Sequence, residues 1–302
     1  GVNIGLPKEF DAIQVRLEPI QQDGALLHIG TDKTIALLRG GAVIPDGIDA
    51  VVMDRGLPGP GSPTRASRIT LLRGDGIEDI ESLRTFTELE YLLVRQASRL
   101  RDILPLSDLK KLKVFSLGGA NHVSSWPVQI ALPELSYVDL DRCKKLIDIP
   151  GVGASTQLKT ARIVFCDGLQ DIEALGRCRA LKSLNLEGCS AIQTPLENLS
   201  ELQSLQQLDL RYCRGLSDPE PISRLSSLRK LNIESAFNDW SSLSFLSELR
   251  ELRTLNFELS GLSSLNGLEN CQELRSLKAF QCRTLTDIEA IASLKALSRL
   301  DM

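Results

Sequence analysis

The sequence predicts an α/β solenoid, a right-handed coil of parallel strands joined by short helical or 3-10 returns. Three observations predict it. An apolar residue recurs at Ala66, Leu89, Leu112, Leu135, Leu158, Leu181, Leu205, Leu228, Leu252, Leu274 and Leu297, at spacings of 22 to 24 residues. Counting that residue as position one, positions four and six of each unit are apolar and position nine is small. Leucine dominates the apolar set while aromatics make up only 4% of the 302 residues, a composition that suits a repetitive core.

Each unit opens on a strand. Apolar positions four and six with polar neighbours, as in Leu184 and Leu186 or Leu231 and Ile233, bury one face; Ala161 and Ile163 are the weakest pair. One strand cannot bury its leucines alone, so stacked copies must share a core between a parallel sheet and the returning chain. Parallel strands need a crossover, and about 17 residues suffice for a turn and a short helical segment. Returns with proline (LPLSDL, SSWPVQIALP, DIPGVG, SDPEPI) read as irregular or 3-10, and EALGRCRALK as a short helix.

Before the repeats, FDAIQVRLEPI, ALLHIG and KTIALLRGGAVI read as short strands, and IDAVVMDRG as a divergent first unit with Val51 and Met53 at positions four and six. GLPGPGSPTRAS follows as a loop. Residues 1–65 are expected to form a β-rich cap over the first bare core face, with a small functional domain as the rival reading, and residues 66–302 to form about ten units plus a truncated one. Leu297, Leu300 and Met302 would lie on a bare edge strand, so the natural chain is expected to continue.

LxxLxLxxC at a 23-residue period resembles the leucine-rich-repeat family over Ala66 to Met302. The position-nine cysteines are similar to its cysteine-containing class. The Asp-Ile pairs at position fourteen (Asp79, Asp102, Asp148, Asp171, Asp287) resemble the short repeats of internalins and of intracellular phosphatase regulators. The resemblance implies a horseshoe with a parallel concave sheet and protein recognition as its use. It also implies that such repeats serve as target-recognition parts of bacterial effectors, including ubiquitin-ligase types, or of immune receptors whose active domain lies elsewhere.

No catalytic or cofactor chemistry is legible. Cys143, Cys166, Cys189, Cys213 and Cys282 occupy position nine, where other units carry Ala, Ser or Gly, so small size rather than sulfur is what the position requires. Cys178 and Cys271 share another repeat position. One Asp per turn offers too few oxygens for calcium, so position fourteen, Asp218 included, reads as a cap on the return. There is no phosphate loop, no nucleophile elbow and no zinc-protease motif, so no cofactor, no metal and no enzyme activity are expected within these residues.

Function falls to the outward strand positions three, five, seven and eight. All three tyrosines land there, and aromatic and Arg residues are favoured binding anchors. The candidate binding residues are Tyr91, Arg95, Tyr137, Asp139, Asp141, Arg142, Arg162, Phe165, Glu187, Asp209, Arg211, Tyr212, Glu234, Glu258 and Phe280, with Leu93 and Leu259 beside them. Glu187, Glu234 and Glu258 form an acidic strip, which calls for a protein partner with a basic or mixed surface. The net charge of −4 argues against nucleic acid and anionic membranes. Seven scattered cysteines favour reduced thiols and a cytoplasmic setting over secreted adhesion. An injected effector would meet the same reducing conditions in its host's cytoplasm.

Overall fold

The computed structural model describes residues 25–28, 34–39, 50–54, 56–59, 68–71, 74–236, 241–258 and 261–302. The segment FDAIQVRLEPI, most of GLPGPGSPTRAS and Leu259 lie outside the described residues. The strands are β1 (Ala25–His28), β2 (Thr34–Arg39), β3 (Ala50–Asp54), β4 (Arg68–Leu71), β5 (Tyr91–Val94), β6 (Val114–Gly118) and β7 (Tyr137–Asp141). They continue as β8 (Thr160–Val164), β9 (Ser183–Asn185), β10 (Gln207–Asp209), β11 (Lys230–Ile233), β12 (Thr254–Glu258), β13 (Ser276–Phe280) and β14 (Arg299–Asp301). All fourteen lie in one sheet in chain order. β1 runs antiparallel to β2 and every later pair is parallel.

Register follows the repeat: Leu184 stands beside Leu208, and Leu208 beside Leu231, so position four stacks on position four. That column and the position-six column form one continuous core with the leucines of the returns. Val51 and Met53 of β3 are buried in it, in step with the later units.

The returns are 3-10 helices at Glu81–Thr85, Leu104–Asp108, Pro150–Ala154, Glu173–Arg177, Leu196–Glu201, Glu220–Arg224, Ser244–Leu246 and Glu289–Ser293. EALGR is thus a 3-10 turn, closed by Leu175 N–H to Ile172 O (3.0 Å) and Cys178 N–H to Leu175 O (3.0 Å). Spacing explains the choice. Strands repeat about every 4.8 Å, whereas an α-helix with its side chains is about 10 Å across, so thin returns stack with the sheet where helices would splay it. The stacking is close: a Cβ on Gly176 would come within 2.3 Å of Asn198 O in the next return.

The unit holding SSWPVQIALP has no 3-10 helix; Trp126 fills that layer of the core. Its ring meets Phe115 edge-on at 5.7 Å, its Nε1 donates to Ile130 O at 3.0 Å, and Gly151 leaves it room from the next coil.

The position-fourteen aspartates cap the returns through an i to i+2 bond. Asp79, Asp102, Asp171, Asp218 and Asp287 each accept the N–H of the first 3-10 residue, at 2.7 to 3.1 Å. Asp148 is the exception, because Pro150 has no N–H to give; its Oδ1 accepts the Ser125 hydroxyl instead.

No disulfide joins the cysteines among the described residues, and all but the half-buried Cys282 are buried. The expectation that position nine needs only a small residue is corrected in part. Cys143, Cys166, Cys189 and Cys213 each donate S–H to the position-six carbonyl of the preceding unit, at 3.7, 3.7, 3.2 and 3.0 Å. Sulfur therefore satisfies a carbonyl that alanine would leave without this donor. Burial pushes the Cys213 thiol up to about 12, so it stays protonated and a poor nucleophile.

Candidate binding face

Every candidate residue lies on the open face of the sheet between β5 and β13 or on the turn just after a strand, but they do not form one uniform surface. At the β5–β7 end the face is apolar. Leu93, Val114 and Tyr137 form a cluster with Tyr91 against it. Tyr137 is only 4% exposed, which corrects its reading as an exposed anchor: it packs with Val114 of the neighbouring strand and with Leu93 of β5. Burial pushes its phenol up to about 12.

The middle is occupied by ion pairs within the chain. Arg162 reaches Asp139 at 2.5 Å and Asp141 at 3.9 Å, and Arg142 reaches Asp141 at 2.8 Å. Arg211 bridges Asp209 at 2.9 Å and Glu187 at 2.7 Å. Glu187 therefore shares one cation with Asp209, and the members of the acidic strip with no cation within ion-pair distance among the described residues are Glu234 and Glu258. Position five is also partly structural: Asn185, Asp209 and Asn232 each accept the N–H of position seven on their own chain, at 2.8, 3.1 and 3.2 Å.

Asp139 is buried between Ser116 and Arg162. Burial raises its carboxyl above the ordinary value, opposed by Arg162. A carboxyl raised on folding contributes stability that is fully present below its unfolded pKa and lost as pH rises through the folded one. The stability advantage of the native chain over Asp139→Asn is therefore expected to shrink between about pH 3 and about pH 7. Urea titrations at both pH values check this, and an advantage that grew with pH would contradict it.

Position eight carries a feature that sequence reasoning missed. Every described position eight from β5 onward has positive φ: Gln96 53°, Gly119 70°, Arg142 54°, Phe165 53°, Gly188 75°, Tyr212 60°, Ser235 52° and Gln281 51°. The chain must leave the sheet here and dive to the buried position nine. For Gly119, Arg142, Phe165, Gly188 and Tyr212 the position-eight N–H donates a last bond to the next unit's position-seven carbonyl. The left-handed turn swings the side chains of Arg142, Phe165, Tyr212 and Ser235 toward the following unit. Arg142 lies 5.2 Å from the Phe165 ring centroid, Phe165 covers Gly188, Tyr212 Oη donates to Glu234 Oε1 at 3.1 Å, and Ser235 Oγ donates to Glu258 Oε2 at 2.7 Å. The two glycines hinted at this geometry; the others gave no signal.

The stacked coils with an open parallel sheet and 3-10 returns define the leucine-rich-repeat fold, and this chain has that fold. It is similar in structure to an internalin of Listeria monocytogenes, at 18% identity, covering 89% of this chain and 87% of that one with a TM-score of 0.56. The mouse RP105/MD-1 complex gives 19% identity, 88% of this chain, 51% of that one and a TM-score of 0.63. In sequence, a Trypanosoma equiperdum protein described as a candidate adenylate cyclase regulatory protein is 30% identical over 126 residues. That match takes in 40% of this chain and 20% of the relative, so the chain spans about a fifth of that protein's length. No family model matches the chain.

Proposed function

We propose that the chain is a protein-recognition module whose partner docks on the open face from β7 to β13. One observation carries the reading. Arg142, Phe165 and Tyr212 hold left-handed backbone that glycine adopts at no steric cost, and their side chains are turned outward along the sheet rather than into the core. A bulky side chain kept at such a position calls for a use beyond folding. The RP105/MD-1 structure is itself a complex of a protein with this fold, which supports the class of use.

The experiment compares partner capture by the native chain and by an Arg142→Ala, Phe165→Ala, Tyr212→Ala triple variant. Hot-spot truncations cost about 2 kcal/mol or more, so affinity is expected to fall at least about 30-fold with the circular dichroism unchanged. Unchanged affinity sinks the reading. Tyr137 is left out of the set because its burial makes it part of the scaffold.

The hairpin of β1 and β2 at the first edge of the sheet supports a cap for residues 1–65. Six buried cysteines that form no disulfide among the described residues support a reducing, cytoplasmic setting, whether the cell's own or that of a host. A second reading, the recognition part of a larger regulatory or effector protein, is favoured by the trypanosomal relative, of which the chain matches only a fifth.

A further inference from the structure

We propose that Tyr212, Glu234, Glu258 and Phe280 form a cradle for an arginine side chain of the protein partner; this rests on the open face being the docking surface. Four consecutive strands, β10 to β13, or the turns after them, supply one residue each. Glu258 stands in register beside Phe280, and Glu234 directly follows Ile233, which pairs with Phe257 of β12. The two carboxylates are thus on neighbouring strands, about 4.8 Å apart at the backbone.

Each carboxylate is held on one oxygen by a position-eight hydroxyl from the preceding unit, Tyr212 on Glu234 Oε1 and Ser235 on Glu258 Oε2. The other oxygen of each has no donor among the described residues. Neither carboxylate has a cation within ion-pair distance among the described residues, whereas Asp139, Asp141, Glu187 and Asp209 do. Like charges side by side on a sheet repel, and the Arg211 guanidinium, committed to Glu187 and Asp209, relieves Glu234 only from beyond ion-pair distance.

Charge complementarity sets the occupant. Two carboxylates a strand apart match the planar fork of a guanidinium better than the point charge of an ammonium. Tyr212 and Phe280, 37% and 38% exposed, bound the pair on either side. They delimit a slot roughly 14 Å wide, three strand spacings, in which an arginine and its flanking backbone fit. Aromatic walls add stacking and cation–π attraction that favour arginine again. Two carboxylates supply too few oxygens for calcium, and they repel the phosphates of a nucleic acid.

The test titrates the protein with a dye-labelled (Gly-Ser-Arg)3 peptide at low ionic strength, with lysine and citrulline versions in place of arginine. Saturable binding of the arginine peptide is expected, at least fivefold tighter than the lysine peptide, with the citrulline peptide inactive. Glu234→Gln with Glu258→Gln should weaken it at least tenfold while leaving the free protein as stable as before or more so. Glu289→Gln, on an exposed return, should change nothing. Equal binding by the double variant, equal binding of arginine and citrulline peptides, no saturation, or an equal loss with Glu289→Gln each overturns the cradle. Partner capture separates the two proposals: loss with Arg142→Ala, Phe165→Ala but not with Glu234→Gln, Glu258→Gln overturns the cradle alone, while capture unmoved by either set overturns the docking face.

Discussion

Replacing Trp126 by alanine is expected to lower the unfolding free energy by about 3–5 kcal/mol, the usual cost of deleting a large buried ring. Trp126 is the largest fully buried side chain described, and it stands where its neighbouring units have a 3-10 turn. Its removal takes away the edge-on contact with Phe115 and the Nε1 bond to Ile130 O, and leaves a void that Gly151 cannot fill. Because each coil of a solenoid leans only on its neighbours, the damage should concentrate in the coils around residue 126. Guanidinium unfolding measures the total, and amide exchange should locate it. Val128→Ala, two residues on and 64% exposed, is the control and should stay within about 0.5 kcal/mol. A Trp126→Ala loss below about 1 kcal/mol would show that the coil collapses freely and is not organised around the ring.

Gly188→Val should be nearly as damaging, at about 2–5 kcal/mol. Left-handed backbone costs a substituted residue about 1–2 kcal/mol, and crowding adds about 1–3. At Gly188 φ is +75°, and a Cβ would come within 2.5 Å of Phe165 Cδ1. The ring would have to move, breaking its stack under Arg142, so the variant should also lose partner affinity. Adding Phe165→Gly in the same chain separates the two costs. The double variant should recover the crowding part and leave the backbone part, a coupling that a double-mutant cycle reads directly. Additive losses would mean that the Phe165 ring does not press on residue 188.

The contrast between these residues shows what the sequence could and could not reveal. Leu184 and Leu208 announce their strands because burial selects for leucine at every turn of the coil, and selection repeated across units is a periodic signal. Trp126 was silent because it belongs to a single return and repeats nowhere. Tyr137 misled for a related reason: its position in the unit is outward, but its cover comes from Leu93, Val114 and Tyr91, which are set by neighbouring units rather than by its own. EALGR reads as helix on propensity alone, and the constraint that makes it 3-10 is the spacing between coils. Of the face itself, position numbers correctly place the residues on the open side of the sheet. They do not reveal which charges are spent, since Arg211 could have paired onward with Glu234 and instead turns back to Glu187 and Asp209. Nor could Asn185 and Asn232 be known as ligands of their own backbone without the end of the strand in view.

The left-handed column has a practical consequence for anyone wishing to retarget the protein. Positions seven and eight meet at the rim of each coil, contribute nothing to the leucine stack, and already hold residues as different as Gly, Ser, Gln, Arg, Phe and Tyr at position eight. A combinatorial library at those two positions across β7 to β13, with Gly188 and the buried Val164 held fixed, would vary the surface chemistry while leaving every inward-facing residue as it is. Glycine and asparagine in the mixture at position eight would keep the average member folded. The rim is in that sense a row of exchangeable settings on a fixed frame, and selection from such a library could proceed without redesigning the scaffold.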